Sequence, residues 1–223
     1  MFAIRRIVKL FLGIVIFVGL PLIGWGMRNF WMFFSHPARF AYVLLVVFLQ
    51  VLVVLLLPEV DEGKWGTVTS RDRLELLPFQ LFPLTIVLIA PYTDRHGIAV
   101  FGNSEGVRYL GLISFSLGFT LMTWAEVSLG RHFSVYVKVR GDHKLVTDGL
   151  YRYIRHPRYL GIMVFATGIS LVYRSWLALI FVAMLAVVLL WRIRQEEQLL
   201  HRVFGIEWES YVRKSWRLLP FVY

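Results

Sequence analysis

The sequence predicts an all-α fold: a polytopic transmembrane helical bundle of about five or six spans, with a cytosolic loop and a C-terminal helical tail. Three observations carry this. Of 223 residues, 58% are hydrophobic and 17% charged, against about 25% charged in an ordinary soluble domain. Apolar runs close to or above the roughly 18–20 residues that cross about 30 Å of hydrocarbon recur along the whole chain. Charges, prolines, glycines or asparagines bound each run.

The runs lie at 7–25, 40–57, 76–91, 107–129, 159–173 and 176–191. The first follows Arg5, Arg6 and Lys9 as a signal peptide would, but it is long and no small-x-small cleavage site follows, so it reads as a retained span. The third holds Pro78 and Pro83, which remove backbone donors and predict a kinked or partly embedded helix. Only Arg174-Ser175 separates the last two runs. Together they are too long for one upright helix, so a tight hairpin is expected, with a single tilted helix as the rival.

Lys and Arg favour the cytoplasmic side of short loops. Six crossings with the N-terminus inside place Lys64, Arg71 and Arg73, the segment 130–158, and the tail from Arg192 on that side. Arg28, Arg39, Arg95 and Arg174 fall outside. The chain is thus read as a multi-pass integral membrane protein with cytoplasmic N-terminus and C-terminal tail. It forms one domain over 1–223, with N-terminal spans in 1–129 and most of the distinctive polarity in 130–223.

The chain has no cysteine, which excludes disulfides, thiolate metal sites and cysteine nucleophiles, and no metal centre is expected. The net charge of +10 is accounted for by topology and anionic headgroups, so membrane lipids rather than nucleic acid are the expected partners.

Polar residues gather in three places. Between Gly130 and Arg158, an extended piece from Lys144 leads into an Asp148-Gly149 turn and then Arg152-Tyr153-Ile154-Arg155-His156-Pro157. Pro157 disfavours helix at His156 and suits the first turn of a helix starting near Arg158. Arg155 and His156 then precede a helix N-terminus, where an anion is favoured. The same residues also read as inside-positive anchors, with His156 as a capping residue. Gly161 and Gly168 predict close helix packing.

The second gathering, Arg192-Ile193-Arg194-Gln195-Glu196-Glu197, marks the exit of the last run. Arg192 and Glu196 are one turn apart, and the hairpin returns both carboxylates beside Arg155 and His156. A solvated helix end with an intrahelical ion pair is the plainer alternative, but the unbroken apolar run before the two carboxylates and their return beside Arg155 and His156 speak against it and suit a zwitterionic ligand. The third gathering, from Phe204 to Pro220, interleaves aromatic and basic residues as an interfacial amphipathic helix does.

In this order, Gly130-Arg131-His132-Phe133-Ser134, Leu145 to Gly161, Arg192 to Leu200, Phe204-Gly205 and Trp208-Glu209-Ser210-Tyr211 resemble the isoprenylcysteine carboxyl methyltransferase family and related phospholipid methyltransferases of membranes. The resemblance covers about 130–220. It implies a helical membrane enzyme that binds S-adenosylmethionine at the cytosolic end of its last spans and methylates a lipophilic acceptor, either a small molecule or a lipidated substrate.

The family's cofactor positions fall on Lys144, Leu145 and Val146 near the adenosine. Tyr151, Arg155, His156 and Tyr159 fall around the sugar and methionine portions, and Glu196 and Glu197 complete the pocket. His156, Arg192 and Glu196 are the catalytic candidates: Arg192 to hold an acidic acceptor, His156 as the local group suited to general-base work. The lipid group would lodge among the N-terminal spans and between helices.

Two other readings remain at this point. One is a sterol-reductase-like NADPH oxidoreductase. The other is a non-enzymatic membrane scaffold or haem-associated protein using His36, His96, His132 or His156.

Overall fold

The computed structural model describes residues 2–56, 70–102, 104–130 and 145–221. Lys64, and the stretch 131–144 with Arg131, His132 and Lys144, lie outside the described residues. Nine α-helices occur among those described: α1 Phe2–Ile14, α2 Leu20–Trp25, α3 Phe30–Phe34, α4 Pro37–Leu56, α5 Ser70–His96, α6 Glu105–Leu129, α7 Pro157–Val172, α8 Trp176–Phe204 and α9 Ile206–Val212.

Apart from Leu57, which lies outside the described residues, and Tyr173, just past α7, the predicted runs lie in helical elements. Among the described residues, four helical stretches are long and apolar enough to cross a membrane, namely Arg6–Trp25, Pro37–Leu55, Glu105–Leu129 and Trp176–Phe204, and α7 is a shorter apolar helix. The 27 residues of α5 carry Pro78, Pro83 and Pro91 and begin with a polar turn, which lowers its apolar content.

The first span is interrupted rather than uniform. Pro21 has no N–H and cannot close an α-helical bond to the carbonyl of Phe17, four residues back. The chain answers with a π-helical turn over Val15–Gly19, in which Leu20 N–H donates to Val15 O. The Tyr42 hydroxyl of α4 takes up the released Phe17 carbonyl at 2.9 Å. In hydrocarbon such a carbonyl needs a partner of this kind.

The last two runs form the expected hairpin. Arg174, at φ 52°, makes the turn, and Ser175 caps α8 by accepting from Ala178 N–H. At 29 residues, α8 is about 43 Å long, more than the roughly 30 Å hydrocarbon layer. Its charged end therefore projects beyond the hydrocarbon.

Between α6 and α7 the backbones nearly touch. A β-carbon at Gly111 would meet Val172 and Gly168 backbone, and one at Gly118 would meet Phe165 and Gly161 backbone; Gly161 and Gly168 mirror this against Met122 and Phe115. The two glycines predicted on α7 thus face two more on α6 at the same spacing. With no hydrophobic drive between helices in lipid, close van der Waals packing of this kind supplies the association. Beside it stands a buried aromatic column, with the ring of Tyr42 5.2 Å from Phe115 and 5.7 Å from Tyr173, and Phe115 4.6 Å from Phe165.

At the end of α7 remote from His156, the buried Asp94 carboxylate ties several elements together. It accepts from Arg108 through two bonds of 2.9 Å and from Arg174 at 2.9 Å, and it lies 3.5 Å from Arg39. The excess positive charge is met by helix C-terminal carbonyls, since Arg39 donates to Met32 and Phe33 and Arg108 to Val172.

Candidate functional site

The segment leading into α7 is held by local turns and by a strap from the tail. The predicted Asp-Gly turn is present as a 3-10 turn over Gly149–Arg152, with Gly149 at φ 60° and Tyr151 N–H donating to Asp148 O. Next, Arg155 N–H donates to Trp216 O at 2.8 Å, His156 N–H to Arg217 O at 3.1 Å, and Trp216 N–H to Tyr153 O at 2.9 Å. The Tyr211 hydroxyl adds a bond to Tyr151 O. Burial pushes both the Tyr151 and Tyr211 hydroxyls well above the usual tyrosine range, so both stay neutral donors. α7 begins at Pro157 with His156 at the N-cap and no side-chain cap.

The hairpin brings α8 back to this segment, and the two neighbouring carboxylates have different surroundings. Glu197 accepts from Arg155 Nε at 3.0 Å, faces His156 Nε2 at 3.4 Å and pairs with Arg217 at 2.6 Å. Arg155 also donates to the Val212 and Ser215 carbonyls. Arg155 and Glu197 therefore form a clamp between loop, helix and strap.

Glu196 is more open, with its side chain 35% exposed and 4.0 Å from His156 Nδ1. It accepts from the Tyr159 hydroxyl at 2.9 Å, and that hydroxyl accepts from Arg192 Nε at 3.0 Å. The expected one-turn neighbours Arg192 and Glu196 are thus bridged through Tyr159. Arg192 is buried, with its guanidinium 4.6 Å above the Phe79 ring.

Arg192 and Tyr159 also close one end of a cavity of about 230 Å³ between α5, α7 and α8. Arg158, in an ion pair with Glu126 of α6 at 2.7 Å, lines the same end. Farther in, the walls are Phe17, Ile86, Phe165, Ile169 and Leu185. An apolar chamber with a few convergent polar groups is the usual form of a small-ligand site.

Of the predicted site residues, the structure gathers Arg155, His156, Tyr159, Arg192, Glu196 and Glu197. Tyr151 lies beneath them with its hydroxyl toward Ala125 O, and Leu145 and Val146 are half-buried ahead of the turn. Lys144 lies outside the described residues. Sequence reasoning passed over Glu126, although an ionisable residue in an apolar helix is itself a signal. It also treated Arg217, Tyr211 and Ser215 as part of an interfacial tail. Of the histidines of the haem reading, His36 pairs with Glu105 and the His96 ring lies tilted against Tyr92, both away from His156, and His132 lies outside the described residues.

Known proteins resemble this chain in sequence and in fold. Residues 110–202 match the model of the Isoprenylcysteine carboxyl methyltransferase (ICMT) family. A probable protein-S-isoprenylcysteine O-methyltransferase of Oryza sativa subsp. indica is 34% identical over 123 residues, covering 52% of this chain and 62% of the relative. The protein-S-isoprenylcysteine O-methyltransferase of Schizosaccharomyces pombe is 37% identical over 109 residues, 48% of this chain and 46% of its own. The chain thus spans less than two thirds of these relatives. A solved eukaryotic intramembrane Ras methyltransferase, isoprenylcysteine carboxyl methyltransferase, superposes with a TM-score of 0.52 over 96% of this chain and 98% of its own, at 17% identity. That likeness shows a shared helical membrane fold.

Proposed function

We propose that this chain, whose residues 110–202 match the model of the isoprenylcysteine carboxyl methyltransferase family, transfers a methyl group from S-adenosylmethionine to the carboxylate of a lipophilic acceptor. The observation that carries the proposal is the polar end of the cavity. Arg192 lines the chamber and is joined through Tyr159 to Glu196, so an acceptor group and a cofactor group would meet across one tyrosine.

The residues present fit the cofactor. Its amino-acid end carries a carboxylate and an ammonium. The α7 N-terminus, without a side-chain cap, offers backbone N–H groups to the carboxylate. Glu196, the more exposed of the two glutamates, offers the ammonium an opposite charge. Leu145 and Val146 supply apolar surface for the adenosine, and Lys144 is the remaining position that the family resemblance implies there. The Arg155–Glu197 clamp holds the loop that presents His156 rather than binding through its own charges. When bound, S-adenosylmethionine supplies an electrophilic methyl group on a sulfonium.

On the acceptor side, Arg192 holds the incoming carboxylate and Arg158 adds positive charge at the mouth. The guanidinium groups of Arg155, Arg158, Arg192 and Arg217 gather here with the carboxylates of Glu126, Glu196 and Glu197, and the Arg192 guanidinium at the cavity end suits an acidic guest. An ionised carboxylate needs no base, so the site's main task is placement. His156 would act as general base for an acceptor that enters protonated. The hydrocarbon part lodges in the chamber, reached from the bilayer. The Lys and Arg distribution supports a cytosolic location for this site.

The test is equilibrium binding of S-adenosylmethionine, the nicotinamide dinucleotides and haem to purified protein in detergent, followed by transfer of labelled methyl groups to prenylated cysteine carboxylates. Binding of S-adenosylmethionine alone, with base-labile label in the acceptor, is expected. Binding of a nicotinamide dinucleotide or haem in its place would overturn the reading.

A further inference from the structure

The methyltransferase reading leaves open what sets acceptor size, and the structure assigns that part to the N-terminal half, outside the matched residues 110–202. We propose that Phe17, held at the π-helical turn of the first span, gauges the length of the acceptor's hydrocarbon tail. The inference rests on the proposed function for the identity of the acceptor, but the gauge can be read from binding alone.

The chamber follows one stripe of α7, from Arg158 and Tyr159 through Ile162 and Phe165 to Ile169. Phe17 enters this stripe beside Phe165, with ring centroids 5.3 Å apart and planes at 88°. Arg158 and Phe165 are seven residues apart, so the contact lies about 10 Å along the helix from the charged mouth. A tail anchored by its carboxylate at Arg192 meets the Phe17 ring at that depth. A longer tail must move the ring or turn out into lipid.

What fixes Phe17 there is the backbone defect in its span. Pro21 removes the donor that an α-helix would give to Phe17 O, and the buried Tyr42 hydroxyl takes that carbonyl. An extra residue in the turn re-aims the side chains around it, a known use of π-helical turns at functional sites. Pro21, Tyr42 and Phe17 together place a large rigid ring at one depth of an otherwise yielding wall.

The probes are N-acetyl cysteines bearing S-linked prenyl chains of one to four isoprene units, read by thermal stabilisation of the detergent-solubilised protein and by kcat/KM for methyl transfer. Phe17→Ala is expected to shift the ratio of longest to shortest probe toward the longer chain by about tenfold or more, on the scale of adding methylene-sized space to an apolar pocket. Phe17→Trp is expected to shift it the other way. Tyr42→Phe, which frees the carbonyl, should shift it in the same direction as Phe17→Ala and by less. Phe11→Ala, a lipid-facing change in the same span, serves as the control and keeps the original ranking. Should Phe17→Ala not fold, Phe17→Leu makes the same test with a smaller shift.

An unchanged ranking in the folded Phe17 variants, or no stabilisation by any probe, would overturn the gauge. A shifted ranking in stabilisation without methyl transfer would uphold the gauge and overturn the reaction.

Discussion

The Tyr159 hydroxyl donates to Glu196 at 2.9 Å while accepting from Arg192, so one side chain of α7 joins two residues of α8 that the proposed function assigns to different ligands. Removing only that oxygen is informative. Tyr159→Phe keeps the ring and its stacking on His156, 5.7 Å away. A hydrogen bond to a charged group contributes about 1.5–3 kcal/mol, so kcat/KM is expected to fall roughly 10- to 100-fold. Steady-state kinetics beside a thermal melt would check that activity drops far more than stability.

Arg155 and Glu196 should respond differently to truncation. Arg155→Ala strips Glu197 of one partner in a largely buried clamp and is expected to lower stability by about 3–5 kcal/mol. Glu196→Ala should leave the melting temperature nearly unchanged and weaken S-adenosylmethionine binding by more than tenfold. Calorimetric titration and thermal unfolding of both variants would reveal the split, and equal losses of affinity without loss of stability would return Arg155 to the ligand.

Gly118 meets α7 backbone on its open side. Gly118→Ala forces the two helices apart and should destabilise by about 1–3 kcal/mol, as overpacking does in tight interiors. Gly106→Ala on the same helix meets only the Ser104 side chain at 3.6 Å, and it should melt at or slightly above the parent temperature.

His36 makes stability depend on pH. Burial lowers its pKa from 6.5, against an opposing hydrogen bond with Glu105. Its Nδ1 accepts from Ala38 N–H while Nε2 faces Glu105 at 3.1 Å, which fixes the neutral form with its proton on Nε2. The unfolded chain takes up the proton first, so this contribution is complete above pH 6.5 and is lost as pH falls through the lower folded value. Melting temperatures between pH 8 and 5 should show a smaller decline in His36→Gln than in the parent.

The absence of cysteine makes orientation directly measurable. Single cysteines at the exposed positions Glu207 and Ser35 should react with an impermeant maleimide from opposite faces, Glu207→Cys from the cytosol. Labelling of both from one face would overturn the six-crossing topology.

The helices and the hairpin were legible in the sequence because hydrocarbon imposes length and composition on every span. The meeting of His156 with Glu196 and Glu197 was legible too, since a hairpin brings its two ends together. Partners chosen by side-chain reach were not. Glu197 and Glu196 are adjacent in sequence, and Arg155 from the loop together with Arg217 from the strap makes one a clamp and leaves the other open. The π-helical turn needed Pro21 to be read together with a hydroxyl of the next span. The glycines of α6 carry the same seven-residue spacing as Gly161 and Gly168, but which face meets which is decided in three dimensions.

The strap also imposes an order in time. The backbone N–H groups of Arg155 and His156 find their acceptors at Trp216 and Arg217, about sixty residues farther along the chain. At about 5–20 residues per second, a ribosome needs roughly 3–12 s to cover that distance. During this interval α7 and most of α8 can already be inserted while the loop ahead of α7 lacks its partners. The membrane bundle can therefore assemble first, and the loop ahead of α7 reaches its paired arrangement only once the strap has emerged.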